Sequence, residues 1–253
     1  MQQNGAFMPS SSTAELPQAA TPQLCAAALP IAALPVASPA FDIPKMPSAL
    51  PSDSPNVFGS VAVAISRTPL DLKWRSASQS PLAKRAGPWT PIIRSINGQG
   101  RADQLQAINN WVNGRVRFVN DRRDKQGADQ WAGATQTLRS RRGDCEDYAI
   151  AKMKLLEAIG VAPTDMFLVV VDDLVRRADH ALLVVRHDSK MLVLDNSTDE
   201  ILDAENVADY RPIFSYGYSG AWIHGYSEKP VQLATPPHKS EDIAQAQETK
   251  IRT

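Results

Sequence analysis

Three residue types that together can make a nucleophilic cysteine site occur at separated places in the chain. Cys145 lies in the run Gly143-Asp144-Cys145-Glu146-Asp147-Tyr148-Ala149-Ile150-Ala151-Lys152. His180 leads the apolar run Ala181-Leu182-Leu183-Val184-Val185, and Asp195 closes Met191-Leu192-Val193-Leu194. A thiol, an imidazole and a carboxylate in that order supply a nucleophile, a general base and a group that orients the base. His224, in Trp222-Ile223-His224-Gly225, is a rival base, with a turn histidine as its plainer reading.

The thiol has to be activated. A thiolate attacks carbonyls far better than a thiol, and a helix N-terminus favours negative charge. The same helix end offers N–H groups to a developing oxyanion. Asp144, Glu146 and Asp147 oppose this, because unpaired acids raise a thiol pKa. Three accounts of these acids stand side by side. The arginines at 139, 141 and 142 offset them, a hard cation binds between them, or they only complement the helix dipole.

The elements that must position these groups are readable from spacing. Residues 145–159 read as a helix with Ala149, Met153, Leu156 and Ile159 in one stripe, Ala and Lys elsewhere, Asp144 as N-cap and Gly160 as the stop. Residues 101–115 carry Leu105, Ile108, Trp111 and Val112 at helical spacing. Residues 116–119 read as a short extended piece, and a weak helical stretch ends at Leu138. Strands are predicted at 166–171, 181–186 and 191–194. If Asp188-Ser189 is a two-residue turn, His187 pairs with Lys190 and Leu182 with Asp195. His180 and Asp195 then share a face, diagonal to one another and within side-chain reach. An unbroken strand points His187 to the opposite face, which favours His180 as the base. Helices feeding an antiparallel meander make an α+β pattern.

Composition sets the outer limits. The chain has 253 residues, 43% of them apolar, enough for one sizeable core. Lys+Arg and Asp+Glu both number 27, so net charge gives no argument for nucleic acid as a partner or for an anionic membrane surface. The two cysteines, Cys25 and Cys145, make no disulfide framework. Ten of the 19 prolines fall in residues 1–55, which read as a disordered Pro/Ala-rich segment. Within it, residues 24–36 faintly resemble an export signal, although no Lys or Arg precedes Lys45 and two prolines interrupt the block. Residues 56–235 read as the folded domain, and 236–253 as a loose polar tail.

The run at 143–152 resembles the signature of the bacterial transglutaminase-like cysteine peptidases, whose LapG-type members are periplasmic adhesin proteases. Similar pieces flank it: Val112-Asn113, Phe118-Val119-Asn120, Asp129-Gln130-Trp131-Ala132, Leu156 to Val161, His180, Leu192 to Asn196, Arg211-Pro212, and Trp222 to Gly225. The resemblance implies a papain-like or transglutaminase-like fold, with N-terminal helices packed on an antiparallel sheet. It implies Cys145 as nucleophile, His180 as base and acid, and Asp195 as orienter. It also implies calcium beside the cysteine, with Asp144 and Glu146 as candidate ligands. Exported protein substrates such as a surface adhesin, a membrane-bound receptor for cyclic-di-GMP as regulator, and a periplasmic location are implied by the same resemblance. Amide transfer to a lysine amine and a non-catalytic binding module are the alternatives. The chain departs from the pattern at Trp131-Ala132-Gly133-Ala134-Thr135-Gln136, where Trp-Ala-Thr-Pro is usual, and at Met153, where an aromatic is usual.

Overall fold

A computed structural model describes residues 54–82, 86–120 and 130–226. The expectations for the N-terminal segment (Ser54 and Pro55 aside) and for residues 236–253 lie outside the described residues.

Strand β1 (Val61–Ile65) leads into helices α1 (Asp71–Ser78), α2 (Thr90–Ser95) and α3 (Arg101–Arg115). The short strand β2 (Arg117–Phe118), helix α4 (Ala134–Ser140) and the short strand β3 (Arg142–Gly143) then lead to α5 (Cys145–Ala158). Strands β4 (Met166–Asp173), β5 (Ala178–His187), β6 (Lys190–Leu194), β7 (Leu202–Asp203), β8 (Tyr210–Gly217) and β9 (Gly220–Gly225) complete the order. Among the described residues, seven strands form one antiparallel sheet in the order β1-β9-β8-β4-β5-β6-β7. β2 and β3 make a separate parallel pair.

The central strands are covered on both faces, which explains why they read as continuous apolar runs rather than alternating ones. Leu168, Val170, Ala181, Leu183 and Val185 join the helix-side core with Leu105, Ile108, Leu138, Ile150 and Leu156. Phe167, Val169, Val171, Leu182, Val184 and Val193 join a second cluster, closed by Phe58, Ala204, Tyr210 and Trp222. Full burial of each Val, Leu, Ile or Phe among them stabilises the fold by about 1.5–3 kcal/mol.

The β5–β6 hairpin has the register expected from a two-residue turn. Asp188 and Ser189 both have positive φ, 48° and 63°, the type I′ geometry that matches strand twist. His187 pairs with Lys190 and Leu183 with Leu194.

The stripe expected in α5 is buried at Ala149, Met153 and Leu156, and burial extends beyond it to every residue from Cys145 to Met153. The helix is packed by α3 and α4 as well as by β5, so no face is left for solvent over that stretch. Asp144 occupies the N-cap position, but its side chain makes no capping hydrogen bond. At the far end Gly160 takes φ +86°, and Val161 N–H donates to Leu156 O at 3.0 Å, which closes the helix as a Schellman motif.

Candidate active site

Each group is delivered by a different element. Cys145 is the first residue of α5 and is buried. Its thiol donates to Glu146 Oε2 at 3.0 Å. The approach to it is an extended strand: Val119 N–H donates to Gly143 O at 2.9 Å, and Arg117 N–H to Arg141 O at 2.8 Å. Gly143 is required there. A Cβ on it would stand 2.6 Å from both Cβ and Oδ2 of Asp147. Asp147 in turn accepts from Ala132 N–H at 2.7 Å, and the Tyr148 hydroxyl donates to Val116 O. The helix mouth is therefore bonded to its surroundings rather than left at a free end.

His180 and Asp195 are joined. Nε2 of His180 lies 2.9 Å from Asp195 Oδ1. The Tyr210 hydroxyl donates to Asp195 Oδ2 at 2.5 Å, and Ser197 N–H donates to Oδ1 at 2.9 Å. The rings of His180 and Tyr210 are 5.8 Å apart. From α3, Asn113 Nδ2 donates to Asp195 O at 3.0 Å and to Thr198 O at 2.9 Å, which fixes the turn after β6. Burial alone would raise the Asp195 carboxyl. The His180 charge and the hydrogen bonds from His180, Tyr210 and Ser197 overcome it and hold the group well below the usual carboxylate range. Burial and the Asp195 charge push the Tyr210 phenol up, so it stays a donor.

With Asp195 ionised, Nε2 of His180 must carry a hydrogen toward it. A neutral ring then has its lone pair on Nδ1. His180 keeps the strand parity of Leu182, as expected, and Tyr210 belongs to the second cluster, whereas Cys145 belongs to the helix-side core. The two nevertheless lie toward the same end of the packed pair α5–β5. Met153, Glu157 and Ala158 border one cavity with Pro163 and Met166, and Met166 pairs with Val185. From Met153 back to Cys145 is about 12 Å of helix. From Val185 back to His180 is about 16 Å of strand.

The remaining expectations have definite places. His224 lies on β9, not in a turn, and its ring spans Ser60 Oγ at 2.7 Å and Ser215 Oγ at 2.6 Å. Ser60 donates its hydrogen to Val57 O at 2.6 Å. Nδ1 of His224 must therefore donate to Ser60, and Nε2 accepts from Ser215. Three strand spacings, about 14 Å, separate β9 from β5. Asp144 and Glu146 are buried, while Arg139, Arg141 and Arg142 are exposed. Oxygen donors of this kind suit a hard cation. Among the described residues, however, no group of three or more His, Cys, Asp and Glu side chains is placed to hold a metal. Asp144 and Glu146 thus supply two carboxylates at the helix mouth.

Two residues escaped the sequence reading. Tyr210, in Asp209-Tyr210-Arg211-Pro212, carries no signal of its role. Lys152 lies outside the apolar stripe read for α5, yet it is fully buried. Its presence in the motif was the available signal. Nζ donates to Leu194 O at 3.3 Å, and burial, opposed by the charges of Asp195 and Asp199, lowers its pKa to about 7.

The model of the family described as bacterial transglutaminase-like cysteine proteinase, BTLCP, matches residues 92–224, more than half of the chain. The chain belongs to this family. Among solved structures it is similar to LapG of Legionella pneumophila, at 28% identity over 53% of this chain and 75% of that one, with a TM-score of 0.48. Calcium-bound LapG from the same organism is 27% identical over 58% of this chain and 82% of that one, with a TM-score of 0.49. A putative cysteine protease from Cytophaga hutchinsonii is 12% identical over 60% and 58%, with a TM-score of 0.33. No curated protein matches the chain. Among the described residues, no helix is long and apolar enough to cross a membrane.

Proposed function

We propose that the protein is a cysteine endopeptidase in which Cys145 is the nucleophile, His180 the general base and acid, and Asp195 the orienter. The observation that carries this reading is the buried chain Tyr210–Asp195–His180, whose histidine lies on β5, the strand against which the cysteine-bearing helix packs. The step proposed is the meeting of Cys145 Sγ with His180 Nδ1 at the shared end of α5 and β5. The imidazole takes the thiol proton. The thiolate then attacks a peptide carbonyl, and a C–S bond forms as the carbonyl oxygen gains charge. N–H groups at the helix mouth face that charge. The imidazolium passes its proton to the leaving amine as the C–N bond breaks. Water, deprotonated by the same ring, then cleaves the thioester.

A calcium ion held by Asp144 and Glu146 would neutralise the carboxylates beside the thiol and favour the thiolate. The substrates proposed are exported or surface proteins, such as an adhesin. The location proposed is the periplasm, and the regulator a membrane-bound receptor for cyclic-di-GMP. These finer statements rest on family membership and the LapG likeness.

The test is incubation of the full chain with a periplasmic and surface proteome, against a Cys145→Ala control, with and without a calcium chelator. New N-termini that appear only with the wild-type protein, and that are lost on chelation, support the reading. Products that instead carry an added amine support amide transfer. Identical proteomes in both arms contradict catalysis, and cleavage indifferent to the chelator removes calcium.

A further inference from the structure

Lys152 is the buried charged group that the proposed chemistry leaves unused. It is 0% exposed and ranks among the largest fully buried side chains. Lysine is almost never fully buried unless it is paired. A methionine would fill the same volume and need no desolvation of an ammonium. Packing alone therefore does not account for a lysine here.

What a lysine does that a methionine cannot is visible in its surroundings. Lys152 follows Cys145 by seven positions, two turns of α5, so both project from nearly the same face of the helix. Its Nζ donates to Leu194 O at 3.3 Å. The residue after that carbonyl is Asp195, which holds His180 at 2.9 Å. Its head also stands in the field of Asp195 and Asp199. One side chain thus spans from the nucleophile's helix to the peptide group that carries the orienting acid.

We propose that Lys152 is a positioning residue, which fixes Asp195 and through it the His180 ring relative to the helix bearing Cys145. This rests on the catalytic reading given above. The side chain touches neither the thiol nor a substrate in this role. It acts through the Leu194 carbonyl, with its charge as a second contribution to the state of the Asp195–His180 pair.

The test compares the full-length wild-type protein with Lys152→Met and Lys152→Gln. Three quantities are measured: the rate of Cys145 alkylation by iodoacetamide at pH 6.5, the thermal midpoint, and the His180 ring titration by NMR. In Lys152→Met the thermal midpoint is unchanged or higher, because a desolvated charge is gone. The alkylation rate falls at least tenfold, and the His180 titration moves to higher pH. Lys152→Gln can still donate to the carbonyl, so it recovers part of the rate without restoring the titration. An alkylation rate within twofold of wild type in Lys152→Met overturns the proposal. So does a rate loss matched by a loss of thermal stability, the signature of a purely structural role. A parallel His180→Ala arm separates the two levels of inference. If that variant keeps the wild-type rate, the catalytic reading fails and this proposal with it. If it loses the rate while Lys152→Met does not, only Lys152 is removed.

Discussion

Removing the Tyr210 hydroxyl probes its contact with Asp195; the same hydroxyl also meets the Ser197 and Arg176 side chains, so the Asp195 contribution is read from a double-variant cycle. Tyr210→Phe keeps the ring, including its edge contact with Phe58 at 5.6 Å and its place beside His180. It deletes an O–H donor 2.5 Å from a carboxylate that is 1% exposed. A hydrogen bond to a charged, buried acceptor contributes about 1.5–3 kcal/mol. Asp195 keeps Ser197 N–H and His180 Nε2, so it is not left unsolvated, and about 2 kcal/mol is the reasoned loss. That is roughly a thirtyfold change in the folding constant. Urea unfolding of wild type, Tyr210→Phe, Asp195→Asn and the double variant at pH 7 gives the pairwise coupling directly. The account expects about 2 kcal/mol of coupling. The sign with pH is fixed by the direction of the Asp195 shift. Its carboxyl is depressed in the fold, so this stability is present above the ordinary carboxylate pKa and is lost as pH falls through the lower, folded value. Tyr210→Phe should therefore differ most from wild type at neutral pH and least in strong acid. Losses that simply add in the double variant, with coupling under about 0.5 kcal/mol, would refute the reasoning.

Two further outcomes follow from other contacts. Gly143→Ala drives a Cβ to within 2.6 Å of the Asp147 side chain, so urea unfolding should show a loss of about 1–3 kcal/mol. Alkylation of Cys145 should change with it, since the thiol lies only two residues further on; unchanged stability would mean that the strand shifts freely. His224 is lowered to about 4 by burial, so the unfolded chain binds a proton there first as pH falls. Stability should decline between about pH 6.5 and 4 by up to about 3 kcal/mol, then level off, and His224→Gln should flatten that decline. An unaltered slope in urea titrations of the variant would exclude His224 as its source.

The parts of the fold that were legible are those whose local pattern and tertiary setting agree. The helix at 101–115 is bounded as its apolar spacing indicates. The β5–β6 register followed from a two-residue turn, because strand parity leaves no freedom once the turn is fixed. β8 was missed for a physical reason. Pro212 argues against a central strand, yet β8 lies between β4 and β9. It is admitted because the ladder shifts register between Val170 and Val171, opposite Pro212 and Phe214. β1 was missed although Val61 to Ile65 are all apolar; it is an edge strand in which Ala62 alone is buried. Within the site, chain order suggested Cys145, His180 and Asp195, and the hairpin register put the last two on one face. Tyr210 could not be found in that way, since it enters from β8 by a contact with no sequence period. The burial of Lys152 was not legible because apolar spacing marks one buried stripe, whereas α5 is buried all round over its first nine residues.

The most direct measurement is the pH dependence of Cys145 alkylation by iodoacetamide, with peptide mapping to separate it from Cys25. The account predicts a fast reaction already at pH 6.5, where an ordinary thiol is only about 1% ionised, and a rate at least tenfold lower in His180→Ala. A profile with its midpoint near an ordinary thiol pKa of about 8.5, identical in wild type and His180→Ala, would contradict it.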